Sequence, residues 1–214
     1  AEQSIAALQD LKKGVTDDDG VLLPKVSRIG IGMNDNVYID KFIDLHEQMV
    51  RDTTLASSSG YRLGRGFLDN IISAGNWNLW DQSGYESFVR CKKNGIDVHL
   101  AGVYAGGFVF KKPYRYGSEG SDAPDDKQLA FEAWSTLCNK WNVSMPAVAL
   151  KFGFLPKVVT RLIIGMSIKT EVDDTLRFLE ESQNVPMDLF HEAQGLGLIR
   201  QDIDLPALRY VMTH

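Results

Sequence analysis

The segment from Arg161 to Val172, RLIIGMSIKTEV, constrains the fold more than any other part of the chain. Leu162, Ile163 and Ile164 form a short apolar run of the kind that a parallel sheet buries on both faces, and Gly165 stops it. Ser167 and Thr170 suit a helix cap and Glu171 a first helical turn. Val172, Leu176 and Leu179 then recur at helical spacing. The spacing predicts a strand, a glycine turn and a helix N-terminus. Free N–H groups and the positive end of a helix dipole attract an anion at such a junction, and Lys169 adds a full charge beside it. A nucleotide phosphate is the expected ligand. One junction of this kind is common in α/β proteins, so the reading depends on the rest of the chain.

The remaining segments alternate strand and helix. Strands are expected near 26–33 (VSRIGIGM), 67–74 (FLDNIISA), 96–101 (IDVHLA) and 161–165. Ile5, Leu8 and Leu11 mark an opening helix. The loop GVTDDDGVLLP follows, with calcium only a minor option because no later Glu completes the ligand spacing. Asn34 and Asp35 suit the cap of a helix carrying Ile39, Phe42, Ile43 and Leu45. Tyr85, Phe88 and Val89 mark a short helix closed by Lys92-Lys93-Asn94-Gly95. The stretch KKPYRYGSEGSDAPDD is long enough for a lid and equally suits a surface insertion. Helices are expected from Gln128 to Trp141, from Pro146, from Lys169 and from Pro186.

Composition narrows the function classes. A chain of 214 residues that is 44% apolar buries a core of its own and reads as one domain. A net charge of −5 without a basic stripe argues against nucleic acid. No apolar run reaches the ~18 residues of a membrane span. Cys91 and Cys138 read as separate buried thiols in a reducing compartment, cytoplasmic or organellar. His46, His99, His191 and His214 show no metal-ligand spacing, so no metal is expected.

Four strands, each followed by a helix, give a parallel sheet with right-handed crossovers. A doubly wound sheet usually carries G-x-G-x-x-G after its first strand, and none of these turns does. An eight-stranded barrel commonly holds phosphate at the loops after its last two strands. GVYAGG and GMSIK occupy those places if these four strands are the last four of eight.

Five blocks in order, RIGIGMND preceded by ALQDLKK, LDNIISAGNWNLWDQSG, GIDVHLAGVYAGGFV, AVALKFGFLPKVVTRLIIGMSIKTEVDDTLRFLE and VPMDLFHEAQGLGLI, resemble the second half of an aldo-keto reductase. The branch they most resemble is the dehydrogenases of galactose and related aldoses. The resemblance implies the last four strand–helix units of a (β/α)8 barrel across 1–214, binding NADP or NAD for hydride transfer with a sugar or carbonyl substrate. The family's catalytic Asp, Tyr, Lys and His belong to the other half of that barrel, so no catalytic residue is assigned here. Activity is expected only when that half is supplied, by a second chain or a larger assembly. The alternative is a non-catalytic structural or interaction subunit derived from the family.

Carried over by position, the resemblance implies that Asn34 holds the nicotinamide carboxamide, with helix capping as its other role. Trp77 would face the nicotinamide and substrate pocket, or else sit in the core. Gly102, Gly107 and Phe108 would lie along the pyrophosphate. Gly165, Met166, Ser167, Lys169 and Glu171 would hold the phosphate and adenosine. Ser167 and Thr175 stand where relatives usually have Arg and Asn, which leaves Lys169 to supply the charge or favours a cofactor without the 2′-phosphate. A further expectation is an apolar inner face, made of residues such as Ile29, Ile31, Ile71, Val98, Leu100 and Ile163, with half of them turned toward the missing strands.

Overall fold

Among the residues that the computed structural model describes (26–56, 66–112, 125–155 and 157–207, with positions 10, 12, 16 and 18–21), the four apolar runs form one parallel sheet. Most of the expected opening helix, Ile5, Leu8 and Leu11 included, and most of the expected lid lie outside them. The strands are β1 (Gly30–Gly32), β2 (Asn70–Ala74), β3 (Asp97–Ala101) and β4 (Val159–Ile163). Their hydrogen-bonded order is β1-β2-β3-β4, following the chain, as a barrel segment requires.

Each strand feeds a helix. These are α1 (Asn36–Ala56), α2 (Tyr85–Lys93), α3 (Asp125–Lys140), α4 (Met145–Gly153), α5 (Lys169–Asn184) and α6 (Met187–Gly195). A 3₁₀ segment, Ala105–Phe110, follows β3. Local chemistry sets the boundaries. Asp35 caps α1, its Oδ1 accepting from the Val37 N–H at 2.8 Å. Ser144 caps α4 while both its N–H and its hydroxyl donate to the Glu181 carboxylate at 2.7 Å, and Pro146 occupies the first turn, where its missing donor is harmless. Arg90 of α2 reaches Asp40, Asp44 and Glu47 on α1, tying the two helices together.

All four strands differ from expectation at their ends, β2 and β3 by starting three residues and one residue later than expected. β1 is shorter because side chains replace the ladder before Gly30: the Ile29 N–H donates to the Asp69 carboxylate at 2.7 Å and Arg28 to the Asp69 carbonyl at 3.1 Å. β4 starts two residues earlier, because a bulge shifts its register so that Val98 faces Val159 but His99 faces Arg161. Thr160, the extra residue, turns its hydroxyl onto the Val98 carbonyl at 2.9 Å.

Side chains alternate across the sheet. Ile71, Ser73, Val98 and Leu100 are buried on the helix side, in a core with Trp77, Phe88, Trp134, Leu150, Phe152 and Phe190. The opposite face carries Asn70, Ile72 and Ala74 from β2, Asp97, His99 and Ala101 from β3, and Arg161 and Ile163 from β4. Ile72, Arg161 and Ile163 are exposed there. This corrects the expected apolar inner face: Ile71, Val98 and Leu100 serve the helices, and the inner face is mixed and polar. Cys91 and Cys138 are buried free thiols, and burial pushes both up to about 12. Among the described residues no helix is long and apolar enough to cross a membrane, and no group of three or more His, Cys, Asp and Glu is placed to hold a metal.

Candidate functional site

In a parallel sheet of this kind the loops that can hold a ligand gather at the C-terminal ends of the strands. Asn34 follows β1, and its Oδ1 accepts from the Ala74 N–H at the end of β2 at 3.0 Å. Because Asp35 does the capping, the Asn34 amide is left at the rim of the sheet. Beside it Ala74 and Ala101 pair in register, two small side chains that leave room above the inner face. The sequence reasoning passed over these alanines. Their signal was the alternation of IISA and VHLA, which puts a small residue at the inward position of each strand end.

The turn after β2 is closed rather than open. Asn78 Oδ1 accepts from the N–H groups of Trp80 and Asp81 at 2.9 and 3.0 Å, and its amide donates to the Gly75 carbonyl at 3.0 Å. Ser73 donates to Asn76 at 2.8 Å, and Asn76 to Asn36 at 2.6 Å. Trp77, expected at the substrate pocket, is placed in the core instead. Its ring lies 5.0 Å from Phe152 at 11° on one side and 5.8 Å from Tyr85 at 25° on another, with no solvent exposure. The helix-side core has an apolar slot that fits an indole, and Phe152 fills the stack.

The loop after β3 bends through positive φ at Gly102 (75°) and Gly107 (98°), a conformation that favours glycine. Phe108 is buried against Trp80 and Phe131 at 5.1 and 5.2 Å, so only its backbone remains for a ligand. The loop docks on α5. Phe110 lies 6.0 Å from Phe178, and the Tyr104 hydroxyl is buried toward Thr175, with burial pushing it up to about 12. The loop and α5, both named for the phosphate, are therefore in contact.

After β4 the chain passes Gly165 and Met166 and enters α5 with Ile168 as an uncharged N-cap. The Ser167 N–H donates to Glu171 Oε2 at 2.7 Å. Lys169 is highly exposed and pairs with Asp173 at 2.5 Å. A Glu171 oxygen thus stands where an anionic ligand oxygen would bind, and among the described residues, its two chain neighbours aside, nothing lies within 4 Å of where a Cβ on Gly165 would sit. These residues fit a phosphate group, provided Glu171 turns away.

A separate cleft of about 390 Å³ lies between Trp80–Ser83, Lys127 and Gly197–Arg200. None of the expected site residues lines it, and its polar walls are paired within the chain: Lys127 to the Trp80 carbonyl, Gln82 to the Leu198 carbonyl, and Arg200 to Glu86 and Asp202.

Residues 57–189 match the sequence pattern of the aldo/keto reductase family, more than half of the chain. The chain belongs to the aldo/keto reductase family. It is 25% identical over 136 residues to pyridoxal 4-dehydrogenase of Microbacterium luteolum, a stretch covering 62% of this chain and 39% of that protein. The aldo-keto reductase AKR11C1 from Bacillus halodurans, in its holo form, superposes with a TM-score of 0.52 at 20% identity, over 85% of this chain and 54% of that one. This chain therefore spans about half or less of these relatives, and its four strand–helix units form a partial barrel. Within the family match fall Trp77, the Gly102–Phe108 loop and the Gly165–Glu171 junction, whereas Asn34 lies before it.

Proposed function

We propose that this chain is the nucleotide-holding part of an NAD(P)-dependent oxidoreductase of the aldo/keto reductase family. Family membership supports oxidoreductase chemistry, and one observation carries the assignment of the site: the Ser167 N–H already holds an anionic oxygen, that of Glu171, at the N-terminus of α5. In this reading Ser167 and Lys169 bind the pyrophosphate at its adenosine end, and Gly165 and Met166 keep the approach open. The backbone of Gly102, Gly107 and Phe108 lies along the pyrophosphate, and Asn34 orients the carboxamide at the rim formed with Ala74. A nicotinamide nucleotide bound there gives or takes a hydride at a carbonyl or a sugar hydroxyl carbon. The proton donor for that transfer comes from the strand–helix units that complete the barrel, in the same polypeptide or a second one. Lys169 without an arginine beside it favours NAD, whose ribose lacks the extra phosphate.

The pairing of Ser167 with Glu171 and of Lys169 with Asp173 favours a second reading, a structural subunit whose anion site is satisfied from within. Calorimetric titration with NAD, NADP and ADP-ribose separates the two. Saturable binding supports the first reading, with NAD and ADP-ribose binding more tightly than NADP. Its absence at roughly millimolar ligand rejects the cofactor role and leaves the structural one.

A further inference from the structure

The inner face of the sheet rises to the rim in layers. Asn70 and Asp97 form the lowest, Ile72, His99 and Arg161 the middle one, and Ala74, Ala101 and Ile163 the highest, beside the Asn34 amide. Successive layers are two residues apart along each strand, or about 7 Å. The middle layer carries two polar groups without partners among the described residues. Arg161 is exposed and its guanidinium makes no hydrogen bond or ion pair there, and the His99 Nε2 is buried without a hydrogen-bond partner. The acid on this face does not serve either of them. Asp97 lies one layer lower and is held by Arg28 at 2.5 Å, while Asp69, just before β2, is held by Lys12 at 2.5 Å. Arg28 and Lys12 thus balance the two carboxylates, and the charge of Arg161 is left over. Burial first, and Arg161 second, lower the His99 pKa below 6.5 against the pull of Asp97, so the ring is uncharged at neutral pH.

We propose that Arg161 and His99 set the substrate class, an aldehyde or sugar that carries a carboxylate at the end remote from its reacting carbon. The proposal rests on the nucleotide-holding role above, in which Asn34 orients the carboxamide at the rim, so that the reacting carbon lies at the level of Ala74 and Ala101. These two side chains are small, and the space they leave opens downward onto the middle layer. A carboxylate about five bonds from the reacting carbon spans one layer and meets the Arg161 guanidinium. The carboxylate of a 2-oxo acid, which adjoins the reacting carbon, does not reach it. A guanidinium takes a carboxylate in two parallel hydrogen bonds, a stronger and more directional contact than it makes with a neutral hydroxyl. A substrate oxygen at this level also gives the His99 Nε2 a partner. A neutral sugar of the same length leaves Arg161 with its charge unanswered.

Calorimetry on the full 214-residue chain tests this, with D-glucuronate as the probe and D-glucose, which lacks the carboxylate, as its control. NAD is titrated first, and no saturable NAD binding would reject the cofactor role and this proposal together. With NAD bound, glucuronate should bind about tenfold or more tightly than glucose. Arg161→Gln should remove that preference while leaving the affinity for NAD within about twofold, and Arg161→Lys should keep part of the preference. Lys93→Gln, at an exposed cation on α2, should change neither. Circular dichroism of each variant checks that the fold persists. Glucuronate should also shift the His99 ring signals in NMR spectra of the unaltered chain, and leave them in place in Arg161→Gln. Equal affinity for the two sugars with NAD bound, a preference that survives Arg161→Gln, or one that Lys93→Gln removes as well would each overturn the proposal and leave the nucleotide role standing.

Discussion

The turn after β2 and the junction after β4 both lie at the C-terminal end of a strand, yet they are built on opposite terms. In the first, the Ser73, Asn76 and Asn78 side chains are each held by a neighbour and Trp77 is stacked on both sides. In the second, Met166 and Ile168 are exposed, and the Ser167 N–H and the Lys169 ammonium are each held by an acidic side chain four residues further along the chain. The difference separates two uses of a strand end. Packing on all sides fixes the sheet in place but leaves nothing for a ligand. A junction satisfied only by its own flexible side chains keeps its groups within reach of one.

The comparison breaks most visibly in stability. Trp77→Ala should lower the unfolding free energy by ~3–5 kcal/mol, the cost of a large cavity in the core. Met166→Ala should lower it by less than ~0.5 kcal/mol. Urea titration measures both, and losses of equal size would show that the two regions are not differently packed. A folded Trp77→Ala chain should still bind ADP-ribose normally, because the indole is remote from the anion groups.

Lys169→Glu reverses the contrast. It should leave the urea midpoint almost unchanged yet weaken ADP-ribose binding about ten- to a hundredfold, or ~1–3 kcal/mol for a lost charged hydrogen bond. Calorimetry reads the binding. A fall in stability matching the loss of affinity would make Lys169 a structural residue.

Acid should act on the packed side first. The His46 Nδ1 accepts from the Leu68 N–H at 3.2 Å, just before β2, and desolvation lowers the imidazole pKa below its ordinary 6.5. The unfolded chain therefore binds the proton more readily. The contribution is complete above about pH 6.5 and is lost as the pH falls through that value toward the depressed one. The loss is bounded by roughly one hydrogen bond, ~1 kcal/mol. Urea unfolding at a series of pH values between about 7.5 and 5 checks the sign, and stability that rose on acidification would remove His46 from the scaffold.

The smallest expected effect sharpens the junction itself. Glu171→Ala frees the Ser167 N–H and should strengthen ADP-ribose binding about three- to fivefold, or ~0.7–1 kcal/mol. A weaker complex would instead make Glu171 a direct contact of the ligand.

The four strands were legible because period and glycine stops agree in each of them: IISA, DVHLA and the run around Leu162 end where a small residue or Gly interrupts the apolar pattern. Trp77 was not legible. A tryptophan after a strand needs apolar neighbours in a pocket and in a core alike, and only the three-dimensional position of Phe152 decides between them. The stripe on α5 shows a related limit. Val172, Leu176 and Leu179 announce one face of a helix, but helical spacing does not say what that face meets, and here it meets solvent. The inner face was misjudged through Ile71, Val98 and Leu100, since a run buried on one side of a sheet reads much like a run buried on both. Glu171 shows that an acid in a first turn can serve a helix by filling the site a ligand would use.

Burial also silences Cys91 and Cys138, whose thiols stay protonated at neutral pH. Iodoacetamide should find neither in the native chain, and each would react only when the layer covering it opens. Cys91 lies in α2, next to the strands, and Cys138 in α3, so the two labelling rates form a pair of clocks that time the breathing of two different helices.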